Sequence, residues 1–333
     1  MLRFLGRRSL ISLLTLLGVL LLTFTLVRVL PGDPARLRAG PYAGPERLAE
    51  VRRQMGLDEP LLTQLARYVV DALRLDLGAS IRTQQPVRDE LLDRLPATLE
   101  LSLYALVLAT LVGIGLGVLA AVRPGRLVDH LVRGAIVVGT SMPVFWVGMI
   151  LLFVFFSTLG WVPPPLGRVP PLMDPPSHVT GFHTLDAVLT LDWLGLRASI
   201  SSLTLPVVSL ALVVFAPIAN VTRSAVEREL NSDYIRAQRS LGLPVTRDAL
   251  RTALPPIITT VGVVLGYLIG GNVLIETLFA WPGLGQYSWE ALGNKDITAL
   301  QGVVLLVGFS YIVLNILVDV VYVATDPRVR LRA

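Results

Sequence analysis

Leu101–Val122 reads LSLYALVLATLVGIGLGVLAAV, 22 residues without an Asp, Glu, Lys or Arg. A helix needs ~20 apolar residues to cross ~30 Å of hydrocarbon, so this stretch is long enough to span a bilayer. Five more charge-free windows flank it: Ser9–Val27, Gly134–Gly167, Ala198–Thr222, Thr252–Ile275 and Ile297–Val318, of 19, 34, 25, 24 and 22 residues. Within lipid a continuous helix satisfies all its own backbone groups, so the windows predict six transmembrane helices and an all-α integral membrane protein. The third window exceeds one span, and Pro163, Pro164 and Pro165 are expected to end its helical part.

Composition agrees. Of 333 residues, 53% are hydrophobic and 16% charged, with mean hydropathy +0.66. Soluble domains carry ~25% charged residues. The absence of Cys excludes disulfides, thiolate nucleophiles and zinc–thiolate sites. The first window follows a basic start (Arg3, Arg7, Arg8) but is longer than a signal peptide's apolar core and has no small-x-small cleavage site after it. An uncleaved anchor is expected.

Arginine placement sets the orientation. With the N-terminus inside, the inner segments hold 15 Arg: three at the start, three in Arg123–Arg133, six in Arg223–Arg251 and three in the tail. The short outer segments hold Arg168, Arg197 and Lys295 alone. Both termini are then cytoplasmic. No basic stripe with interleaved aromatics suggests nucleic acid. The expected organisation is an N-terminal tail and first span (1–30), an external amphipathic helical segment (31–97), a five-span core (98–325) containing a cytoplasmic loop (223–251), and a cytoplasmic tail (326–333).

The external segment contains two helical stripes. Pro45 and Glu46 open one that Gly56 stops, with Leu48, Val51 and Met55 on one face. Leu61, Leu62, Leu65, Tyr68, Val69 and Leu73 form the second, and Pro86–Leu95 suggests a third short helix. Val162–Arg197 is Pro-rich and predicts an extended outer loop. Its His178 and His183, five apart without nearby thiolates or a carboxylate pattern, are weak evidence for a metal site. In the cytoplasmic loop, Asn231, Ser232 or Asp233 can cap a short helix running to about Leu241, and Gly242 suits a left-handed stop. Such a helix can dock on another protein; an ordinary charged loop is the alternative.

Catalytic signatures are missing. A phosphate-binding loop needs a Gly-Lys pair, and the sole lysine follows Asn294, so this chain should not hydrolyse ATP. No HExxH or GxSxG motif occurs. Neither catalytic nor metal-binding residues are expected. Polar residues near membrane depth are Asn220, Asn272, Glu276 and Asp319, each a candidate for gate or path, with packing, pairing or capping the favoured reading. Gly113, Gly115 and Gly117, and Gly262, Gly266 and Gly270, permit close helix approach. A self-contained secondary transporter would show broken helices or intramembrane ion ligands, and no inverted repeat is visible.

The motifs, in order, resemble the inner-membrane permease subunits of ABC importers of the dipeptide/oligopeptide/nickel family. They are Leu30-Pro31-Gly32-Asp33-Pro34, Met55-Gly56-Leu57-Asp58, Asp76-Leu77-Gly78-Ala79-Ser80, Arg94-Leu95-Pro96-Ala97-Thr98-Leu99-Glu100, Pro143-Val144-Phe145-Trp146, Phe279-Ala280-Trp281-Pro282-Gly283-Leu284-Gly285 and Asp326-Pro327-Arg328-Val329-Arg330. The resemblance implies a type I importer permease in the bacterial inner membrane. ATPase coupling would fall to Asp233, Tyr234, Arg236, Ala237, Arg239 and Gly242, with Leu254-Pro255 downstream. Gln238 and Leu241 depart from the family's usual small and basic residues, and the loop is about four residues short. The implied partners are a second permease, two ATPases that bind ATP and Mg, and an external solute-binding protein. Peptide is the expected cargo, with nickel or glutathione as alternatives.

Overall fold

The computed structural model describes residues 14–25, 34–40 and 42–325. Every regular element in them is helical: α1 (Leu14–Thr25), α2 (Pro34–Ala39), α3 (Pro45–Gln54), α4 (Leu61–Leu73), α5 (Val87–Ala121), α6 (Leu127–Ser141), α7 (Val144–Thr158), α8 (His183–Leu189), α9 (Trp193–Leu230), α10 (Asp233–Ser240), α11 (Thr246–Gly271), α12 (Val273–Leu278), α13 (Leu284–Gly293) and α14 (Ile297–Thr325). Among the described residues α5, α9, α11 and α14 are long and apolar enough to cross a membrane, and the bent pair α6–α7 makes a fifth candidate span. Of the first window, the 12 residues of α1 are described. The Leu30–Asp33 part of one motif and the Asp326–Arg330 motif lie outside the described residues.

Three expectations are corrected. Gly134–Gly167 is two helices meeting at 104° rather than one. Pro143 forces the break: proline disfavours the helical region for the residue before it, and Met142 sits at ψ 131°. The second helix ends in a π-helical turn at Leu152–Thr158, before the three prolines are reached. Pro86–Leu95 is no separate helix, because the helix begun at Val87 runs on through Pro96 to Ala121. At the break between α11 and α12, Asn272 interrupts the fifth window.

The chain forms two compact units. One comprises Pro96–Gly285 with the end of the chain from Val313. Its core is built around α9, which buries 19 residues, among them Leu210, Ile218 and Ala219. Glycine explains one close helix contact. A Cβ on Gly113 would lie 2.9 Å from Ile218 and one on Gly117 would lie 2.6 Å from Thr222, so α5 packs on α9 through small residues four apart. Gly115 between them meets nothing within 4 Å. Gly262 packs likewise on Val318 of α14.

The other unit comprises the segment before Pro96 with Gln286–Ile312. Asp296, itself buried, organises it. One carboxylate oxygen accepts from the Ala299 N–H (3.0 Å) and caps α14; the other accepts from Ser80 Oγ (2.5 Å) and the Arg82 N–H (3.2 Å). The Asp76–Ser80 motif is thereby tied to the start of α14. Tyr287 donates to Glu90 (2.7 Å) under the Arg94 guanidinium, and burial together with Glu90 raises its pKa.

Candidate functional site

Helix α10 is short and polar, with one buried side chain. Ile235 is 0% exposed, in a nest of Ala121, Ala225, Val226, Leu230, Ala249, Ala253 and Ile257. Burying such a side chain contributes about 1.5–3 kcal/mol. The nest joins the end of α5, the end of α9 and the start of α11, so α10 rests on three helices at once. Spacing around Ile235 leaves Asp233, Tyr234, Arg236, Ala237 and Arg239 exposed. Sequence reasoning selected these five and missed Ile235. Its signal was one large apolar residue in an otherwise polar helix.

The end of α10 closes as its glycine predicts. Gly242 has φ +73°; its N–H donates to the Arg239 carbonyl (3.1 Å) and the Leu243 N–H to the Gln238 carbonyl (3.2 Å). This is a Schellman pair, which satisfies the orphan carbonyls of the last turn. At the other end Ser232 holds the capping position, but its hydroxyl turns back to the Glu229 carbonyl (2.6 Å) rather than capping. Tyr234 bridges Glu229 and Thr252, each at 3.1 Å. Gln238 reaches Asp248 on α11 (3.3 Å), giving the unusual residue at this position a structural task.

Two turns before the end of α9, a charged clasp binds α6 to α9. Asp129 is 0% exposed and accepts from Arg223 (2.8 Å), Arg133 (2.5 Å) and the Gly125 N–H (2.9 Å). Arg223 also pairs with Glu227 (3.3 Å). Asp129 and Arg223 are 94 residues apart, and no local pattern links them.

The polar candidates at membrane depth separate into two groups. Asn220 is exposed on α9. Asn272 and Glu276 are buried. Asn272 donates to Ser102 (3.0 Å), tying α5 to the break after α11. Glu276 accepts from Thr98 and from the Gly285 N–H, both at 2.7 Å. Trp281 closes the same knot, its indole donating to the Ala97 carbonyl (2.8 Å). Glycine is required here: a Cβ on Gly283 would lie 2.4 Å from both Glu276 and Thr98. Beside it Glu100 and Arg168 form a buried ion pair at 2.5 Å, and Glu100 also accepts from Thr184. Asp319 falls in α14, and its side chain is outside the described residues.

His183, next to this pair, has its pKa lowered to about 4, first by burial and then by Arg168. Nearby Asp186 would be raised by burial, but donors from Thr180, Val179 and Gly181 outweigh that and hold it below the usual carboxylate range.

Apolar helices long enough to cross a membrane, with the short polar helix α10 seated on their ends, define a membrane-embedded subunit. Residues 113–331 match the family described as binding-protein-dependent transport system inner membrane component, and residues 1–102 match that family's N-terminal region. The chain belongs to this family: it is a multi-pass permease subunit of the inner membrane. It is 44% identical over 320 residues to the probable D,D-dipeptide transport system permease protein DdpB of Escherichia coli, covering 95% of this chain and 94% of that one. It is 40% identical over 335 residues to the di/tripeptide transport system permease protein DppB of Pseudomonas aeruginosa, covering 99% of each. Among solved structures, the inward-facing MetNI methionine ABC transporter matches with TM-score 0.50 at 18% identity, over 69% of this chain and 93% of that one. That likeness concerns the fold. Broken helices, which sequence reasoning associated with secondary transporters, occur here at Pro143 and Asn272 within an ABC-type permease.

Proposed function

We propose that this chain is the permease through which short peptides enter the cell, driven by ATPases that dock on α10. The relatives' names support a di- or tripeptide cargo over nickel or glutathione. The observation that carries the coupling role is the seating of α10: an exposed charged face above one buried side chain seated among three helices. A push on that face is delivered to the ends of α5, α9 and α11 together, and the Asp129–Arg223 clasp extends it to α6. ATP and Mg would be held by the ATPases, consistent with the missing Gly-Lys pair in this chain. To switch access from 1:99 to 99:1, ATP binding must favour one state by ~5.5 kcal/mol.

Asn220 marks the path. An exposed amide at membrane depth is costly against lipid, so its face of α9 turns toward a second permease or a water-filled route. Asn272 and Glu276 serve a gate by holding the break between α11 and α12 rather than by touching cargo. An external solute-binding protein would supply the peptide. The test is to tag this chain, express it with its genomic neighbours and identify what stays bound in mild detergent. A second permease and an ATPase should be recovered, with the ATPase weakened by Gly242→Asp. Recovery of this chain alone, transporting peptide without ATP, would overturn the reading.

A further inference from the structure

Two adjoining cavities in the unit formed by the segment before Pro96 and Gln286–Ile312 are unlike in chemistry. The larger, about 450 Å³, is walled by Leu16, Leu20, Leu73, Leu91, Leu305 and Phe309. The smaller, about 260 Å³, is walled by Arg74, Asp76, Arg88 and Asp89. Leu75, Leu77 and Arg88 belong to both, so the apolar space opens directly onto the charged one. Depth fits a lipid leaflet. Leu305 and Phe309 lie 8 and 12 residues into α14 from Ile297, about 12 and 18 Å along the helix at its usual rise. Half of a bilayer's hydrocarbon is about 15 Å.

Leu75 supplies an independent observation. It ends α4 in a Schellman turn, where the Leu75 N–H donates to the Ala72 carbonyl (3.1 Å) and the Asp76 N–H to the Asp71 carbonyl (2.9 Å). Glycine usually takes this position, yet Leu75 occupies it at φ +58°. The side chain is 56% exposed, so packing within the chain does not account for the strain. What it does is stand at the boundary of the two cavities.

We propose that the two cavities are one binding site for a phospholipid carrying a phosphate and a primary ammonium, the chemistry of phosphatidylethanolamine. An acyl chain fills the apolar part against Leu75 and Leu91. Arg74 and Arg88 take the phosphate, and Asp76 and Asp89 face the ammonium. Charge complementarity selects this occupant: two cations and two carboxylates at the polar end of one apolar slot suit a zwitterion better than an anionic lipid. A transmembrane helix of a partner would fill the slot but leave the four charges unused.

Native mass spectrometry of the full chain in detergent, offered phosphatidylethanolamine or phosphatidylglycerol at equal mole fraction, tests this. One phosphatidylethanolamine per chain should be retained, roughly tenfold in preference, a difference of about 1.4 kcal/mol. Arg74→Ala with Arg88→Ala should lose the adduct, and Asp76→Asn with Asp89→Asn should abolish the preference. Leu75→Gly should raise the melting temperature by relieving the backbone while weakening lipid retention, a pairing that a purely structural leucine would not give. Equal retention of both lipids would overturn the proposal, as would Leu75→Gly protein that holds lipid as well as the parent. In the assembled complex a photocrosslinker replacing Phe309 should label phospholipid; labelling a second permease would overturn it too.

Discussion

Gly242 offers the cleanest perturbation, because backbone strain can be separated there from steric collision. Its φ is +73°, and a Cβ added to it would meet nothing within 4 Å. Any cost of substitution is therefore conformational. Placing an ordinary L-residue in the left-handed region costs roughly 1–2 kcal/mol, with Asn cheaper and β-branched residues dearer. The expected order of stability of the turn is Gly, Asn, Ala, Val. A loss of 1–2 kcal/mol shifts the equilibrium between closed and frayed turn by about 5–30-fold. Hydrogen exchange at the Gly242 and Leu243 amides, which donate into the last turn of α10, reads that equilibrium directly. Peptide-stimulated ATP hydrolysis by the reconstituted complex should fall in the same order. Gly242→Val protein with unchanged exchange and unchanged coupling would refute the assignment of this turn as a rigid end-stop.

Four further outcomes follow from the geometry. Ile235→Ala should cost about 2–5 kcal/mol at a fully buried site and free α10, read as faster tryptic cleavage at Arg236 and Arg239 and weaker ATPase retention. Asp129→Ala leaves Arg223, 16% exposed, without its main partner; because Glu227 remains, we expect about 2–3 kcal/mol in thermal unfolding rather than the ~3–5 of a fully buried pair. Gly283→Ala drives a methyl into Glu276 and Thr98, and overpacking of this kind costs about 1–3 kcal/mol, visible as a lower melting temperature with the span helices intact. For His183 the folded pKa of about 4 lies below the unfolded ~6.5. As pH falls through that window the unfolded chain takes up the proton first, so stability is constant above pH 7 and is lost between about 6.5 and 4. His183→Leu should flatten that part of the melting-temperature profile, and an unchanged acid loss would exclude His183 as its source.

How far the sequence reached depended on the range of the interaction concerned. Membrane segments were legible because a bilayer demands length and freedom from charge, both local properties of a chain. The Gly242 stop was legible for the same reason: a left-handed φ is the business of one residue and its neighbours. Gly56 behaves alike, at φ +63° after α3. Local rules also failed where two of them competed. Pro143 broke a window that hydropathy alone ran together, while Pro96 sits inside α5 without ending it. Hydropathy sees apolar side chains and is blind to what a proline ring does to the backbone of the residue before it.

What the sequence by itself determined is the solvent this chain lives in, the approximate places where it crosses, and the family to which its ordered motifs belong. What only the tertiary structure decided is which of its polar residues hold it together. Asp129 and Arg223 are 94 residues apart and Thr98 and Glu276 are 178 apart, and no periodicity links either pair. Burial likewise divided Asn220, exposed on α9, from Asn272 and Glu276, which face inward onto α5 and the α13 turn. The reason is physical: a helix's own hydrogen bonds close within four residues, whereas the desolvation of a charge depends on every segment that folds over it.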